Sequence, residues 1–562
     1  MNNDLLTPYE RGNKNQTTTW EECINFYTQL AQRYPSALRF FEIGTSDGGT
    51  PIHAGVVSAD GVFDLDEIKR TKRPVFFNNN GIHPGEPEGI DACMAQVRDF
   101  CSDDALRATL NELVFLFIPI YNVDGCLNRN NSSRVNQLGP ETHGFRGNAL
   151  NLDLNRDFIK CDSLNAQVFN QFFSAWDPDL MVDTHTSNGA DYSYTMTVIQ
   201  TQADKLGGAF NGFIRDTLLP KISAGMTARG WPFCPYVNPV KEIPDDGIED
   251  FLEVPRFSTG YAALNHTIGF MPETHMLKTY TDRYESMRAF LMEMVSFTGQ
   301  HAKQIQAMRT QARTRESLPN TWPVSWKVDR TKVSKFKFRG FAAVYSPSKL
   351  GNYTRLSYDR DQPWEKEIDY YDNFVADVEV ATPKSYIVPQ QWRDVIQRLQ
   401  WNKVSMQRVT ETKQMTVQTY HIQDVKTRST PYEGHMFHDE VSLEVRTEVV
   451  TVNAGDYLID LNQAKARYAI ETLEPQGHDS FFRWGFFNSI LEKKEAFSDY
   501  VFEDTAVELL ETESGLKALF DQWKIDNPHL LSDQQAVLGF IFARCARYHE
   551  PEWRRYPVFR LI

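Results

Sequence analysis

Pro74-Val75-Phe76-Phe77-Asn78-Asn79-Asn80-Gly81-Ile82-His83-Pro84-Gly85-Glu86 is the stretch on which the reading of this chain turns. Its apolar start reads as a buried strand, and the asparagine run with its glycine ends that strand. The loop beyond it offers a histidine and a glutamate three residues apart. Such a loop can present side chains to a ligand. Residues 88–100 then read as a helix, and Leu113–Ile120 (LVFLFIPI) as a second buried strand. Upstream, residues 17–34 predict a helix opened by a Thr19/Glu22 capping box. Leu38–Ile43 and Ile52–Val57 flank a Ser46–Gly49 turn and predict a hairpin. Downstream, Leu180–Asp183 and Ile268–Pro272 read as strands, and residues 283–313 as one long helix. Strands alternating with helices over the first ~300 residues predict an α/β domain with a mixed central sheet flanked by helices.

The chain has 562 residues, which suggests two to four domains at about 100–200 residues each. Hydrophobic residues are 41% and charged residues 24%, a globular balance that excludes wholesale disorder. The formal charge is −15 with no basic block, which argues against nucleic-acid binding. No apolar run approaches the ~20 residues of a membrane span. Seven cysteines without a CxxC pair exclude a dense disulfide framework and a cysteine zinc site. The opening MNNDLLTPYERGNKNQ is polar and has no secretory signal. The expectation is a cytoplasmic protein, or a periplasmic or secreted one whose leader has been removed. The sequence does not indicate an oligomeric state.

The character changes near residue 318, where Pro319, Pro323 and the basic stretch Lys327–Arg339 suggest a junction. The predicted division is a catalytic domain over 1–318 and an accessory region over 319–562. The latter is β-rich over 319–460 (Thr416–Ile422, Val441–Val452, Tyr457–Ile459) and mainly helical over 461–562.

Chemistry gathers in the first part. His83 and Glu86 are a possible pair of zinc ligands, since catalytic zinc sites commonly combine two histidines with one glutamate. His185 follows the Leu180–Asp183 strand, so it sits at a sheet edge where ligands from different strands converge. In Asp153-Leu154-Asn155-Arg156, the guanidinium fork and the amide suit a carboxylate, and Asp153 suits the outer partner of a metal-bound histidine. Glu273 ends the Ile268–Pro272 strand as a candidate general base, and Tyr261 lies upstream in a Ser-Thr-Gly-Tyr segment. Taken singly, each has an ordinary structural reading: a polar loop, a surface ion pair or a hydrogen-bonded core histidine.

The order HxxE, polar arginine loop, DxNR, strand-end His, Tyr and strand-end Glu, running from 83 to 273, resembles the M14 family of zinc carboxypeptidases. The resemblance covers about 55% of the chain and points to a large bacterial-type member with an extended C-terminal region. It implies one zinc per chain held by His83, Glu86 and His185, and Glu273 as general acid/base. It also implies that Asn155 and Arg156 hold a substrate's terminal carboxylate, with Asp153 behind His83. Arg134 is the choice for the arginine that polarises the scissile carbonyl, Arg129 the competitor, and Tyr261 the tyrosine that closes on substrate. The implied substrates are the C-termini of peptides or proteins. Two departures stand out. Pro84 and Gly85 fill HxxE where pancreatic members carry an arginine, and Tyr261 precedes Glu273 by a short interval.

Two rival readings share these residues. A zinc deacylase of the succinylglutamate desuccinylase/aspartoacylase type also carries HxxE, a distant His and DLNR-x-F. A non-catalytic binding protein is the third reading, although none of the expected catalytic positions is lost. Glu433, His435 and His438 pose the further question of a second metal site.

Overall fold

The computed structural model describes residues 5–314, 318–545, 547–548 and 550–562. β1 (Leu38–Thr45) and β2 (Pro51–Val57) form the expected hairpin. β3 (Val75–Asn79), β4 (Val114–Ile118), β5 (Leu180–Asp183), β6 (His185–Ser187), β7 (Met196–Gln200) and β8 (Phe233–Pro235) follow. β9 (Ile248–Glu249) belongs to a different sheet, and β10 (Ile268–His275) returns to the first. The sheet order is β1-β2-β4-β3-β5-β10-β7-β8, with β6 also against β10. β4, β3, β5 and β10 are mutually parallel, while β2 and β7 run antiparallel to them. The carboxyl ends of three adjacent central strands, β3, β5 and β10, therefore meet on one edge.

β3 is buried along its whole length because both of its faces are covered. Its two phenylalanines show this directly. Phe76 stacks on Phe115, which meets Phe100 of helix Glu88–Ser102. Phe77 points the other way, to Phe169, Phe172 and Phe173 of helix Leu164–Trp176. The asparagines that follow are fully buried and tie the strands together. Asn79 Nδ2 donates to Asp183 Oδ1 at 2.9 Å, and Thr184 Oγ1 donates to Asn80 Oδ1 at 3.0 Å.

The Thr19/Glu22 capping box opens helix Trp20–Arg33 as expected. The single helix expected over 283–313 is instead two, Tyr280–Gln300 and Ala302–Ala312. At the break, His301 leaves helical geometry, its ring stacks on Phe297 and its Nδ1 lies 3.0 Å from the Phe297 carbonyl. β10 runs on to His275, so Glu273 lies within the strand, in register with His185 of β6.

The second part is β-rich and then largely helical. Its basic stretch is not a linker. It lies in strands Thr321–Val328 and Ser334–Pro347, where Arg339 pairs with Glu365 across a long hairpin. The return strand of that hairpin, Thr354–Tyr371, pairs with β9. The last strand, Phe559–Leu561, enters a six-stranded sheet. Trp322, Tyr386, Tyr468 and Trp484 share one continuous core with Phe77 and Tyr261 of the first part. Helices Asp499–Thr512, Ser514–Asp526 and Gln534–Arg544 keep a small core of their own. Among the described residues, no helix is long and apolar enough to cross a membrane.

Candidate active site

The edge where β3, β5 and β10 end opens into a cleft of about 270 Å³ lined by His83, Glu86, His185, Asn155, Arg156 and Glu273. With Arg134, which also lines it, seven residues chosen from sequence share one cavity. One ligand atom from each of His83, Glu86 and His185 lies within 4.8 Å of the others, and all three residues are buried. The outer ring nitrogens are committed. His83 Nε2 lies 2.8 Å from Asp153 Oδ1, and His185 Nε2 lies 3.0 Å from Asp183 Oδ2. With the protons on those nitrogens, both Nδ1 lone pairs face the Glu86 carboxylate. His185 Nδ1 stands 3.0 Å from Glu86 Oε2, and His83 Nδ1 is buried without a hydrogen-bond partner. Two imidazole lone pairs and a carboxylate converging in a buried space call for a cation. Two nitrogens and one oxygen suit zinc.

The electrostatics agree with that demand. Burial alone would raise the Glu86 carboxyl, but Arg134 and His83, with hydrogen bonding from His185, hold it well below the usual range. Burial opposes charge on His185, yet Asp183 and Glu86 pull its pKa well up, so a proton can serve as the cation there. Asp153 is likewise kept low against its burial by His83, Arg146 and Arg156. Glu273 behaves differently. Burial pushes its carboxyl up to about 7, and among the described residues no side chain donates a hydrogen bond to it. A carboxyl with a pKa near neutrality is suited to passing a proton in both directions.

Asn155 and Arg156 follow Asp153 in a short 3₁₀ turn. Asn155 Oδ1 accepts the Ser258 N–H at 3.1 Å, which leaves its amide N–H groups for a ligand. The Arg156 guanidinium carbon lies over Phe257, 4.5 Å from the ring centroid, a cation–π contact that helps to place it.

Arg134 lies in the cleft beside Glu86, whereas Tyr261 lies outside it. Arg134 has each of its three nitrogens bonded to a protein group. It donates to Glu86 Oε1 (2.6 Å), Gln137 Oε1 (2.8 Å) and the Thr186 carbonyl (2.9 Å). Arg129 is remote from the cleft and caps the Thr18 and Thr142 carbonyls. Tyr261 is not on a loop. It is fully buried in helix Ser258–Leu264, stacked on Phe158, with its hydroxyl donating to Asn402. Sequence reasoning passed over Arg146 and Tyr236, both of which line the cleft. Arg146 reaches Asp153 Oδ2 at 3.0 Å and Glu86 Oε1 at 3.4 Å, and its side chain stays 42% exposed, open to substrate. Its one sequence signal is its place in Phe145-Arg146-Gly147-Asn148, ten residues before Arg156. Tyr236 follows β8, and burial, with the nearby Glu273 and Glu86 charges, raises its hydroxyl pKa.

The rest of the cleft wall is mixed: Ile199, Met271, Phe251 and Phe257 form an apolar side, and Thr186, Ser187 and Asn188 a polar one. Arg256, a possible pocket-floor residue by position, turns away to Asp479 at 2.8 Å. Asp245 and Glu249 pair with Lys366 and Arg330 of the hairpin region. Glu433, His435 and His438 do not form a second metal cluster. His438 faces Thr427 and Asn488, and among the described residues only His83, Glu86 and His185 gather as metal ligands.

Residues 23–200 match the model of the zinc carboxypeptidase family, peptidase M14. Carboxypeptidase 2 of Trichophyton tonsurans is 22% identical over 426 residues, covering 72% of each chain. Carboxypeptidase A6 of Mus musculus is 29% identical over 109 residues, covering 19% of this chain and 23% of that one. A metallo-carboxypeptidase from Burkholderia cenocepacia superposes with a TM-score of 0.37 at 14% identity, covering 50% of this chain and 69% of that one.

Proposed function

From the premise that this chain is a zinc metallopeptidase of the M14 type, we propose that it removes single residues from the C-termini of peptides, preferring apolar side chains. The observation that carries this reading is the convergence in one cleft of a three-ligand metal site, an untied Glu273 and the Asn155–Arg156 pair. His83, Glu86 and His185 would hold one zinc ion. When bound, zinc supplies Lewis acidity to a carbonyl and lowers the pKa of water.

The chain's own residues do the rest. Arg156 takes the terminal carboxylate in a bidentate grip and Asn155 adds an amide donor. That grip sets the register, so the bond presented to Glu273 is the last in the chain. Glu273 takes a proton from the attacking water at its carboxylate and returns it to the leaving amine. Arg146, rather than Arg134, stabilises the oxyanion, because its guanidinium is open to the cleft. One such donor is worth about 3 kcal/mol in the transition state. Tyr236, rather than Tyr261, is the tyrosine beside the substrate. The released side chain would rest against Ile199, Met271, Phe251 and Phe257, a wall without a carboxylate to pair a lysine or arginine. Residues 1–318 carry this chemistry and 319–562 support it.

The deacylase reading keeps the same residues, with Arg146 available as a second cationic contact for a dicarboxylate. The apolar side of the cleft, and relatives named carboxypeptidases, favour a peptide. The test is zinc-loaded protein with a peptide library, read by mass spectrometry, with N-acyl amino acids in parallel and Glu273→Gln as control. We expect stepwise loss of apolar C-terminal residues, no action on C-terminal amides and loss of activity in the control. Acyl cleavage with intact peptides would falsify the peptidase reading.

A further inference from the structure

A turn from the second part of the chain reaches the loop that carries Asn155 and Arg156. Tyr432-Glu433-Gly434-His435 is closed by two backbone bonds between Tyr432 and His435, of 2.8 and 3.0 Å. Glu433 has φ = 49° and Gly434 φ = 82°. Glycine adopts that conformation freely, whereas glutamate there is strained by about 1 kcal/mol or more and persists only where its surroundings fix it.

The surroundings are specific. Glu433 Oε2 accepts the backbone N–H of Asp153 at 2.9 Å. His435 Nε2 stands 2.7 Å from Asp162 Oδ2, at the far end of the same loop. Tyr432 stacks on Trp484, with Arg256 over both rings and anchored to Asp479. The turn thus holds the 153–162 loop at its two ends. Asp153 in turn faces His83 Nε2, accepts from Arg146 and accepts the Asn155 backbone N–H at 2.9 Å.

We propose that Glu433 is a positioning residue for the active site. Its carboxylate fixes the Asp153 backbone, and through the Asp153 side chain it sets His83, Arg146 and the start of the Asn155–Arg156 turn. This inference rests on the carboxypeptidase reading for its kinetic consequence but not for its metal consequence. Residues 319–562 are on this account part of the site's construction, not an appended module.

The experiment uses the full-length chain with Glu433→Ala, Glu433→Gln and Glu433→Asp. Zinc affinity is read by chelator competition, stability by thermal melting, and kcat and KM on a C-terminally free peptide. Gln keeps an acceptor oxygen at the same reach, and Asp withdraws it by one methylene. We expect Ala and Asp to lose about threefold to tenfold in zinc affinity, at or below the loss on removing a direct partner of a metal ligand, because Glu433 acts one contact further out through Asp153. Their KM should rise by more than their kcat falls, and Gln should restore most of both. A purely structural contact would move the melting temperature and leave zinc affinity and KM at wild-type values, and that result overturns the proposal. If Ala fails to fold, the Asp and Gln pair decides it alone. If the wild type cleaves no peptide, the zinc measurement still stands, and only the peptidase reading falls.

Discussion

Arg134 and Arg146 both place a guanidinium nitrogen on Glu86 Oε1, and they differ in what else holds them. Arg134 also donates to Gln137 and the Thr186 carbonyl, whereas Arg146 shares Asp153 and faces the cleft. Arg146→Ala is therefore expected to lower kcat by about 10²–10³, the cost of one oxyanion donor, with zinc affinity nearly kept. Arg134→Ala is expected to weaken zinc binding first, because it frees the Glu86 carboxylate. Steady-state kinetics and a chelator titration separate the two. Equal effects of both variants on both readouts would sink the assignment. His83, Glu86, His185, Asn155, Arg156 and Glu273 were legible in sequence because spacing and strand ends carry the information. Arg146 and Tyr236 were not. Both come from loops whose path depends on tertiary packing, and the sequence reading took Arg134 and Tyr261 instead, of which Arg134 also lines the cleft and Tyr261 does not.

Single elements bring these residues together, and the tightest join is where helix Glu88–Ser102 starts beneath β5 and β6. A Cβ on Gly89 would fall 1.9 Å from Thr184 Oγ1 and 2.3 Å from Thr184 Cβ. Thr184 joins β5 to β6 and is tied to Asn80, so it cannot swing aside without moving His185. Thr186 adds a second tie, donating to Glu88 Oε2 at 2.7 Å, and Glu88 also pairs with the buried Arg283. Gly89→Ala is expected to cost about 2–3 kcal/mol by overpacking and to lower zinc affinity as well. Urea unfolding with a zinc titration checks both, and wild-type values in both would show that the helix can retreat. Strands such as β3, β4 and β5 were readable because fully buried parallel strands are short apolar runs. The break at His301 was passed over although Gly299 stands two residues before it; at the break the His301 side chain captures its own helix's carbonyl and ring.

For the whole molecule, the main surprise to a sequence reading is that residue 318 divides composition but not the core. A hydrophobic run says that a segment is buried, not against which distant partner, so the seam between the two parts was illegible. The seam has a titratable centre. Asp162 takes Lys160 Nζ at 3.0 Å and Arg398 Nη2 at 3.2 Å, the latter from the second part, and faces His435 Nε2 at 2.7 Å. Burial would raise the Asp162 carboxyl, but the His435 hydrogen bond and Lys160 bring it down to about 2. An unfolded aspartate titrates near 3.9, so the folded state holds this carboxylate charged where the unfolded chain would protonate it. The contribution is therefore present in full above about pH 4 and lost as the pH falls towards about 2, and it is worth about 2 kcal/mol. Asp162→Asn is expected to lower stability by about that amount at pH 5–6, with the gap to wild type closing as both approach pH 2. Urea unfolding at stepped pH reads the gap directly. Parallel curves across the range would mean that the seam holds by its shared apolar core alone, with the Asp162 network contributing nothing that depends on charge.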